Sequence, residues 1–303
     1  MSINTIPREE LLLKGNASCP GCGATLILRY MLKALGPKTM LVIPACCTSV
    51  IAGPYPWTAF KVPTLHIAFA ASAAAGSGMS EALEKMGMND VNVVVWAGDG
   101  GTVDIGIQAL SGAAERGHNM IYVCYDNEAY MNTGIQRSGS TPYGAWTTTT
   151  PKGNRSLKKD VPSIVMSHRV PYVATVNPAF INDLMSKFKK ASRIRGFKYI
   201  HALSPCPPGW RYDSSLTIKV AREAVLTGMW ILYEWENGVF RLTGPSKTLL
   251  DRRRRRPVEE YLKLQGRFRH LTREEVKRIQ EQVDESWRRI EEMLESQESE
   301  DKR

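Results

Sequence analysis

Short runs of aliphatic and β-branched residues recur along the first two thirds of the chain, each followed by a stretch of different period. Thr39–Pro44, Thr64–Phe69, Val91–Ala97, Met120–Tyr125, Tyr172–Val176 and Lys198–Leu203 are too continuously apolar to alternate. Strands covered on both faces have this pattern. Between them, Ala24–Leu35, Ala73–Met86, Asp104–Arg116, Pro178–Arg195 and Ser215–Trp230 place apolar residues at i, i+3 and i+4, the spacing of a helix with one buried face. The repeated strand-then-helix order predicts an α/β fold, a doubly wound and mostly parallel sheet with helices on both faces.

The pattern stops in two places. From Asn132 to Pro162 it gives way to Gly, Ser, Thr and Pro, with Thr147 to Thr150 consecutive. So long a connection inside a compact domain is usually functional, and its aromatic and Thr content predicts an ordered loop near a ligand or partner, with apolar surface for that contact. After Trp235 the chain turns polar through the run Arg252 to Arg256, and then Val276, Ile279, Val283, Trp287, Ile290 and Leu294 recur at helical spacing within Thr272–Ser296. An amphipathic helix is expected there, docked on this domain or on a neighbouring subunit. The organisation expected is a domain over 1–235 and a basic linker with a C-terminal helical extension over 236–303.

Composition narrows the class. With 303 residues, 43% hydrophobic and 23% charged, a packed enzyme-like body fits and a disordered or fibrous chain does not. The net charge of +10 is concentrated in the C-terminal Arg run, a local solvated patch rather than a nucleic-acid-binding surface. No run of about 18 apolar residues occurs, and the N-terminus lacks the basic-then-apolar order of a signal peptide, so a cytoplasmic protein without membrane contact is expected. In a reducing compartment six cysteines suggest metal ligation ahead of disulfides.

Two constellations carry chemistry. Gly98-Asp99-Gly100-Gly101 closes the run that ends at Ala97, and Asp126-Asn127 closes the next one. Strands ending at one sheet edge would set Asp99 and Asn127 side by side where open α/β sheets bind ligands. A carboxylate and an amide oxygen facing a diphosphate suit Mg²⁺, and the glycines let backbone approach phosphate. A tight turn with a helix-capping Asp would account for the first motif alone. The second constellation is Cys19-Pro20-Gly21-Cys22 with Cys46-Cys47 and Cys206. Such thiols can close a tetrahedral site for zinc or an iron–sulfur cluster, or be buried thiols. Cys124, mid-strand among apolar neighbours, reads as core, as does Cys46 as a small buried residue. His66 reads as structural, and Trp57, Trp146 and Trp210, in Pro/Gly-rich text, read as packing around a cofactor.

The text GDGGTVDIGIQALSGAAERGHN, then YDNEAYMNTGIQRSGSTPYGAWTTTTP and EEYLKLQGRFRHL, resembles the thiamine diphosphate-binding β subunits of the 2-oxoacid:ferredoxin oxidoreductase family from about Cys19 to about Leu271. The resemblance implies that Asp99, Asn127 and the main chain of Ala129 hold Mg²⁺. It also implies that Ala24, Cys47, Gly98, Gly100, Gly101, Tyr130 and Asn132 line thiamine diphosphate, with Asn132 reaching the substrate. It implies a [4Fe–4S] cluster on Cys19, Cys22, Cys47 and Cys206. Implied partners are α, γ and δ type subunits, the α subunit supplying the carboxylate that activates the cofactor, with ferredoxin as electron acceptor and coenzyme A as co-substrate. The reaction implied is oxidative decarboxylation of a small 2-oxoacid, pyruvate first, with oxalate, branched-chain and aryl acids as alternatives. A non-oxidative thiamine enzyme and a non-catalytic iron–sulfur or zinc module are the rivals. The family leads one to expect His at Asn16 and Glu-Asn at Ala70-Ala71, departures that bear on the substrate.

Overall fold

The computed structural model describes residues 6–301. The strands are β1 (Thr39–Pro44), β2 (Thr64–Ile67), β3 (Asn92–Gly98), β4 (Ile121–Asp126), β5 (Tyr172–Val176), β6 (Lys198–Leu203), β7 (Tyr233–Glu236) and β8 (Val239–Leu242). They form one sheet in the order β2-β1-β3-β4-β6-β5-β7-β8. β1 to β6 pair in parallel, and β5–β7 and β7–β8 are antiparallel. The helices are α1 (Gly23–Leu35), α2 (Cys47–Ala52), α3 (Ser72–Lys85), α4 (Ile107–Glu115), α5 (Val161–Met166), α6 (Ile181–Ala191), α7 (Pro207–Trp210), α8 (Thr217–Leu226), α9 (Ser246–Leu249), α10 (Glu259–Leu262) and α11 (Arg273–Asp301).

The continuous apolar runs do form the parallel strands. β3, β4, β5 and β6 are buried along nearly their whole length. β2 differs, because it pairs only with β1 at the sheet edge. His66 is therefore exposed on β2, where a core position was expected. A π-helical turn, Gly100–Asp104, comes between β3 and α4, so the helix expected from Asp104 starts at Ile107.

The sheet continues past β6 into the β7–β8 hairpin, which the polar reading of the chain after Trp235 did not anticipate. The turn is Asn237-Gly238, both with positive φ (49° and 90°), the residue pair that type I′ hairpins favour. β7 covers positions 235 and 236. α11 lays Ile279, Val283 and Trp287, all buried, into a cluster with Trp210, Val220, Trp230 and Phe240. Each such burial contributes about 1.5–3 kcal/mol, and the Trp287 indole also donates to Gly228 O at 3.1 Å. Near its end, the Gln297 amide pairs with the backbone of β8, accepting from Phe240 N (2.5 Å) and donating to Phe240 O (3.1 Å). Much of the 132–162 connection is tucked inward rather than offered as surface, with Ser138, Ser140, Thr141, Tyr143 and Ala145 buried.

Candidate cofactor and metal centre

From β1 the chain moves outward to β2, and from β3 it moves the other way to β4. The switch between β1 and β3 opens a crevice at the carboxyl ends of these strands, where ligands of such sheets bind. Register then aligns the motifs. Gly98 lies opposite Tyr125 across β3 and β4, and Asp126 opposite Leu203 across β4 and β6, so Asp99, Asn127 and the Cys206 loop all step off the same edge. A cleft of about 150 Å³ there is lined by Cys46, Cys47, Gly98 to Gly101, Asn127, Ala129, Tyr130 and Asn132, with Phe69 and Met131. Ala24 is not among them. It is buried in the core on α1, whose apolar face turns to the sheet.

Asp99 is buried, and Ser138 Oγ donates to its Oδ2 at 2.5 Å. Burial, and then the neighbouring charge of Asp126, push its carboxyl well above the usual carboxylate range. One atom of the Asn127 amide lies 3.0 Å from Asp99 Oδ1 and 2.9 Å from Ala129 O. If that atom is nitrogen it donates to both. If it is oxygen, three oxygens crowd together, relieved either by a proton on the Asp99 carboxyl or by a cation, and the amide nitrogen then reaches Cys47 Sγ at 4.0 Å. A Cβ on Gly100 would stand 2.5 Å from the Tyr130 ring, so only glycine lets that ring close over the turn, where the Tyr130 hydroxyl donates to Asp104 Oδ2 at 3.0 Å.

The two cysteine loops are joined by backbone. Gly23 N donates to Pro205 O at 3.0 Å, and a Cβ at Gly23 would lie 2.8 Å from Pro205. Burial, and then the nearby Cys206, Cys46 and Cys22, raise the Cys47 thiol. Burial, with Cys22 and Cys19 also contributing, pushes Cys206 up to about 12. The charges of Cys22, Cys46 and Cys206 thus bear on Cys47, and those of Cys19 and Cys22 on Cys206. Even so, among the described residues no three His, Cys, Asp or Glu side chains form a group able to hold a metal ion. Cys19 is exposed whereas the other three are half-buried. Cys124 is fully buried on β4, and Cys46 is half-buried on the cleft wall, capping α2. Trp57 stands 75% exposed on the loop after α2, away from the packing role expected of it. Trp146 lies under Arg211, 3.4 Å from guanidinium to ring centre, and Trp210 is buried against the site.

The thiamine pyrophosphate enzyme family, by its C-terminal TPP binding domain, matches residues 46–202. Along almost the whole chain, ketoisovalerate oxidoreductase subunit VorB of Pyrococcus horikoshii is 50% identical, covering 96% of each chain. Pyruvate synthase subunit PorB of Methanothermobacter thermautotrophicus is 54% identical, covering 92% of this chain and 96% of its own. The chain belongs to the thiamine diphosphate-binding β subunits of the 2-oxoacid:ferredoxin oxidoreductases. The fold agrees with a solved structure, the 2-oxoglutarate:ferredoxin oxidoreductase from Magnetococcus marinus with 2-oxoglutarate, coenzyme A and succinyl-CoA bound, at TM-score 0.59 and 23% identity over 73% of this chain and 81% of that one. Among the described residues no helix is long and apolar enough to cross a membrane.

Behind the cleft of this β subunit lies a buried polar network that reading the sequence did not find. Asp126 accepts from Lys158 Nζ (2.6 Å) and pairs with His201 Nε2 (2.8 Å), whose Nδ1 meets Tyr199 Oη at 2.7 Å. Although burial opposes its charge, Lys158 and His201 hold Asp126 well below the usual carboxylate range. Glu128 joins Lys158 (2.9 Å) and Arg267 (2.6 Å). Its φ of 65° is uncommon for a residue with a Cβ. The one available signal was the run of acidic and amide residues Asp126-Asn127-Glu128 after a buried strand. Nothing in the sequence pairs it with positions 158, 201 and 267.

Proposed function

We propose that this chain carries the Mg²⁺–thiamine diphosphate half-site and a [4Fe–4S] cluster of a hetero-oligomeric oxidoreductase that oxidatively decarboxylates a small 2-oxoacid, pyruvate first. The observation that carries the reading is the meeting of Asp99 Oδ1, the Asn127 amide and Ala129 O at 3.0 and 2.9 Å. In an octahedron with Mg–O bonds of about 2.0–2.1 Å, neighbouring oxygens lie about 2.9 Å apart, so the spacing suits that cation once the amide oxygen is turned inward. A buried carboxyl next to a second acid favours a bound cation for the same electrostatic reason.

When bound, thiamine diphosphate supplies the electron sink that lets a 2-oxoacid lose carbon dioxide, and the cluster supplies an adjacent electron acceptor. The chain's own residues position and exclude. Asp99, Asn127 and Ala129 hold the cation, the Gly98–Gly101 backbone approaches the diphosphate, Tyr130 and Phe69 close the cleft over the turn, and Asn132 at the exposed mouth meets the substrate. Cys19, Cys22, Cys47 and Cys206 hold the cluster. A body of several metal atoms spaces its thiolates more widely than a single ion does, which suits thiols whose charges bear on one another without a closed one-ion site among the described residues. The α, γ and δ type subunits, coenzyme A and ferredoxin complete the reaction in the cytoplasm. Oxidation of a branched-chain acid is the second reading, supported by relatives named for ketoisovalerate at 49–50% identity.

The deciding experiment measures iron, acid-labile sulfide, zinc, magnesium and thiamine on one anaerobically purified complex, and compares pyruvate with 2-oxoisovalerate, oxalate and phenylglyoxylate. Stoichiometric thiamine with iron and sulfide and a preference for pyruvate support the reading. Zinc in place of iron overturns the cluster, absence of thiamine overturns the cofactor site, and a preference for a bulkier acid overturns the substrate.

A further inference from the structure

The segment 126–130 that bears the Asn127 and Ala129 oxygens is held from behind at Glu128 by Lys158 and by the Thr141 hydroxyl, and also by a residue 139 positions further along the chain than Glu128. Arg267 is buried, 3% exposed at its side chain. Its Nη2 donates to Glu128 Oε2 at 2.6 Å and its Nε to Gln265 Oε1 at 2.9 Å. Its guanidinium lies 3.9 Å from the centre of the Trp210 ring. The Trp210 indole nitrogen in turn donates to Asn127 O at 2.8 Å. One guanidinium therefore fixes the loop twice, through the side chain of Glu128 and, by way of Trp210, through the peptide of Asn127. Between these anchors Glu128 has a backbone conformation that its Cβ disfavours, and a disfavoured conformation persists only where its surroundings over-determine it.

We propose that Arg267 is a positioning residue for the cation site: its pairing with Glu128 and its stacking on Trp210 keep the 127–129 backbone in the one arrangement that brings the Asn127 and Ala129 oxygens together with Asp99. The proposal rests on the cation reading above, and only its consequence for metal affinity depends on that reading. Glutamine at 267 would lose both the charge and the planar fork that meets a carboxylate while lying on a ring. Lysine would keep the charge and lose the fork.

The test uses the full chain with two readouts. The first is amide hydrogen exchange of the peptide covering 126–130 in cation-free protein, with the strands as internal control. The second is the Mn²⁺ dissociation constant at saturating thiamine diphosphate, Mn²⁺ standing in for Mg²⁺ and the diphosphate supplying its remaining ligands, followed by electron paramagnetic resonance. Arg267→Gln is expected to speed exchange in 126–130 but not in β3 or β6, and to weaken Mn²⁺ by about ten-fold or more, as changes behind a metal ligand commonly do. Trp210→Phe, which keeps a ring under the guanidinium but removes the donor to Asn127, is expected to move both readouts in the same direction by less, and serves if Arg267→Gln does not fold. Unchanged exchange in the 126–130 peptide of Arg267→Gln would overturn the proposal. Failure of wild-type protein to bind Mn²⁺ would instead sink the cation reading, and the exchange result would still decide whether Arg267 holds the loop.

Discussion

The side-chain amide of Asn127 spans the gap between Asp99 and Cys47: one of its atoms lies 3.0 Å from the Asp99 carboxylate, and in the orientation with oxygen inward its nitrogen reaches the Cys47 sulfur at 4.0 Å. The amide therefore links the two constellations that the sequence presents as separate motifs. In that orientation the donor is aimed at Cys47 and not at Cys46, and N–H groups near a sulfur tune a bound cluster.

Single Cys→Ala variants of Cys19, Cys22, Cys47 or Cys206 are expected to remove the broad visible absorbance of an iron–sulfur centre in anaerobically purified complex, with Cys46→Ala and Cys124→Ala retaining it. Bleaching by Cys46→Ala with colour preserved in Cys47→Ala would reverse the assignment within the pair.

Gly100→Ala tests the closed turn. The new methyl would stand 2.5 Å from two carbons of the Tyr130 ring, and that ring is tethered through its hydroxyl to Asp104. Overpacking of this kind costs about 1–3 kcal/mol. Thermal melting is expected to show a modest loss, and thiamine diphosphate titration a larger one, since the displaced ring has the cleft to move into. Equal binding in the variant would show that ring position has no bearing on the cofactor.

Lys198, at the start of β6, offers a pH test away from the cleft. Burial, assisted by Arg195, lowers its ammonium pKa from 10.5 to about 7, while Asn119 Oδ1 accepts from it at 2.8 Å. Between those two values the unfolded chain holds a proton that the folded chain has released. Stability from this group therefore rises with pH across that window, by at most about 1.4 kcal/mol per unit. Urea unfolding should find Lys198→Met gaining stability relative to wild type at pH 6.5 and losing that advantage by pH 9.5. An advantage that grew with pH would contradict the lowered pKa.

The isolated chain is expected to bind thiamine diphosphate weakly and to oxidise no 2-oxoacid with a dye acceptor, because among the described residues the one carboxylate lining the cleft is Asp99, which the reading above assigns to the cation. Tyr55 and Trp57, 97% and 75% exposed on the loop after α2, are apolar surface of the kind a partner covers. Addition of an α-type subunit should restore turnover and protect Trp57 fluorescence from quenching. Robust turnover by the single chain, verified by mass spectrometry as free of other subunits, would refute this.

What could be read from the sequence follows how each signal is encoded. Parallel strands covered on both faces carry their signature in adjacent residues, so β1, β3, β4, β5 and β6 were legible, as was the meeting of Asp99 with Asn127, which follows from two neighbouring strand ends. β2 was legible as a strand but not as an edge, since edge position depends on which strands lie beside it. The β7–β8 hairpin did leave a local mark, Asn237-Gly238, overshadowed by the charged text around it. The contacts of Glu128 with Lys158 and Arg267 had no such mark, because a buried ion pair joins residues far apart in sequence and each alone reads as ordinary surface charge.

The pairing of Gln297 with Phe240 has a consequence for the solution behaviour of the chain. Among the described residues β8 is the last strand of the sheet, and a side-chain amide from α11 occupies the donor and acceptor of one of its residues. An open strand margin is a template on which a second chain can add. The far end of the C-terminal helix thus covers part of the β8 margin, and proteolytic trimming of that helix would be expected to free the Phe240 donor and acceptor for pairing with another chain.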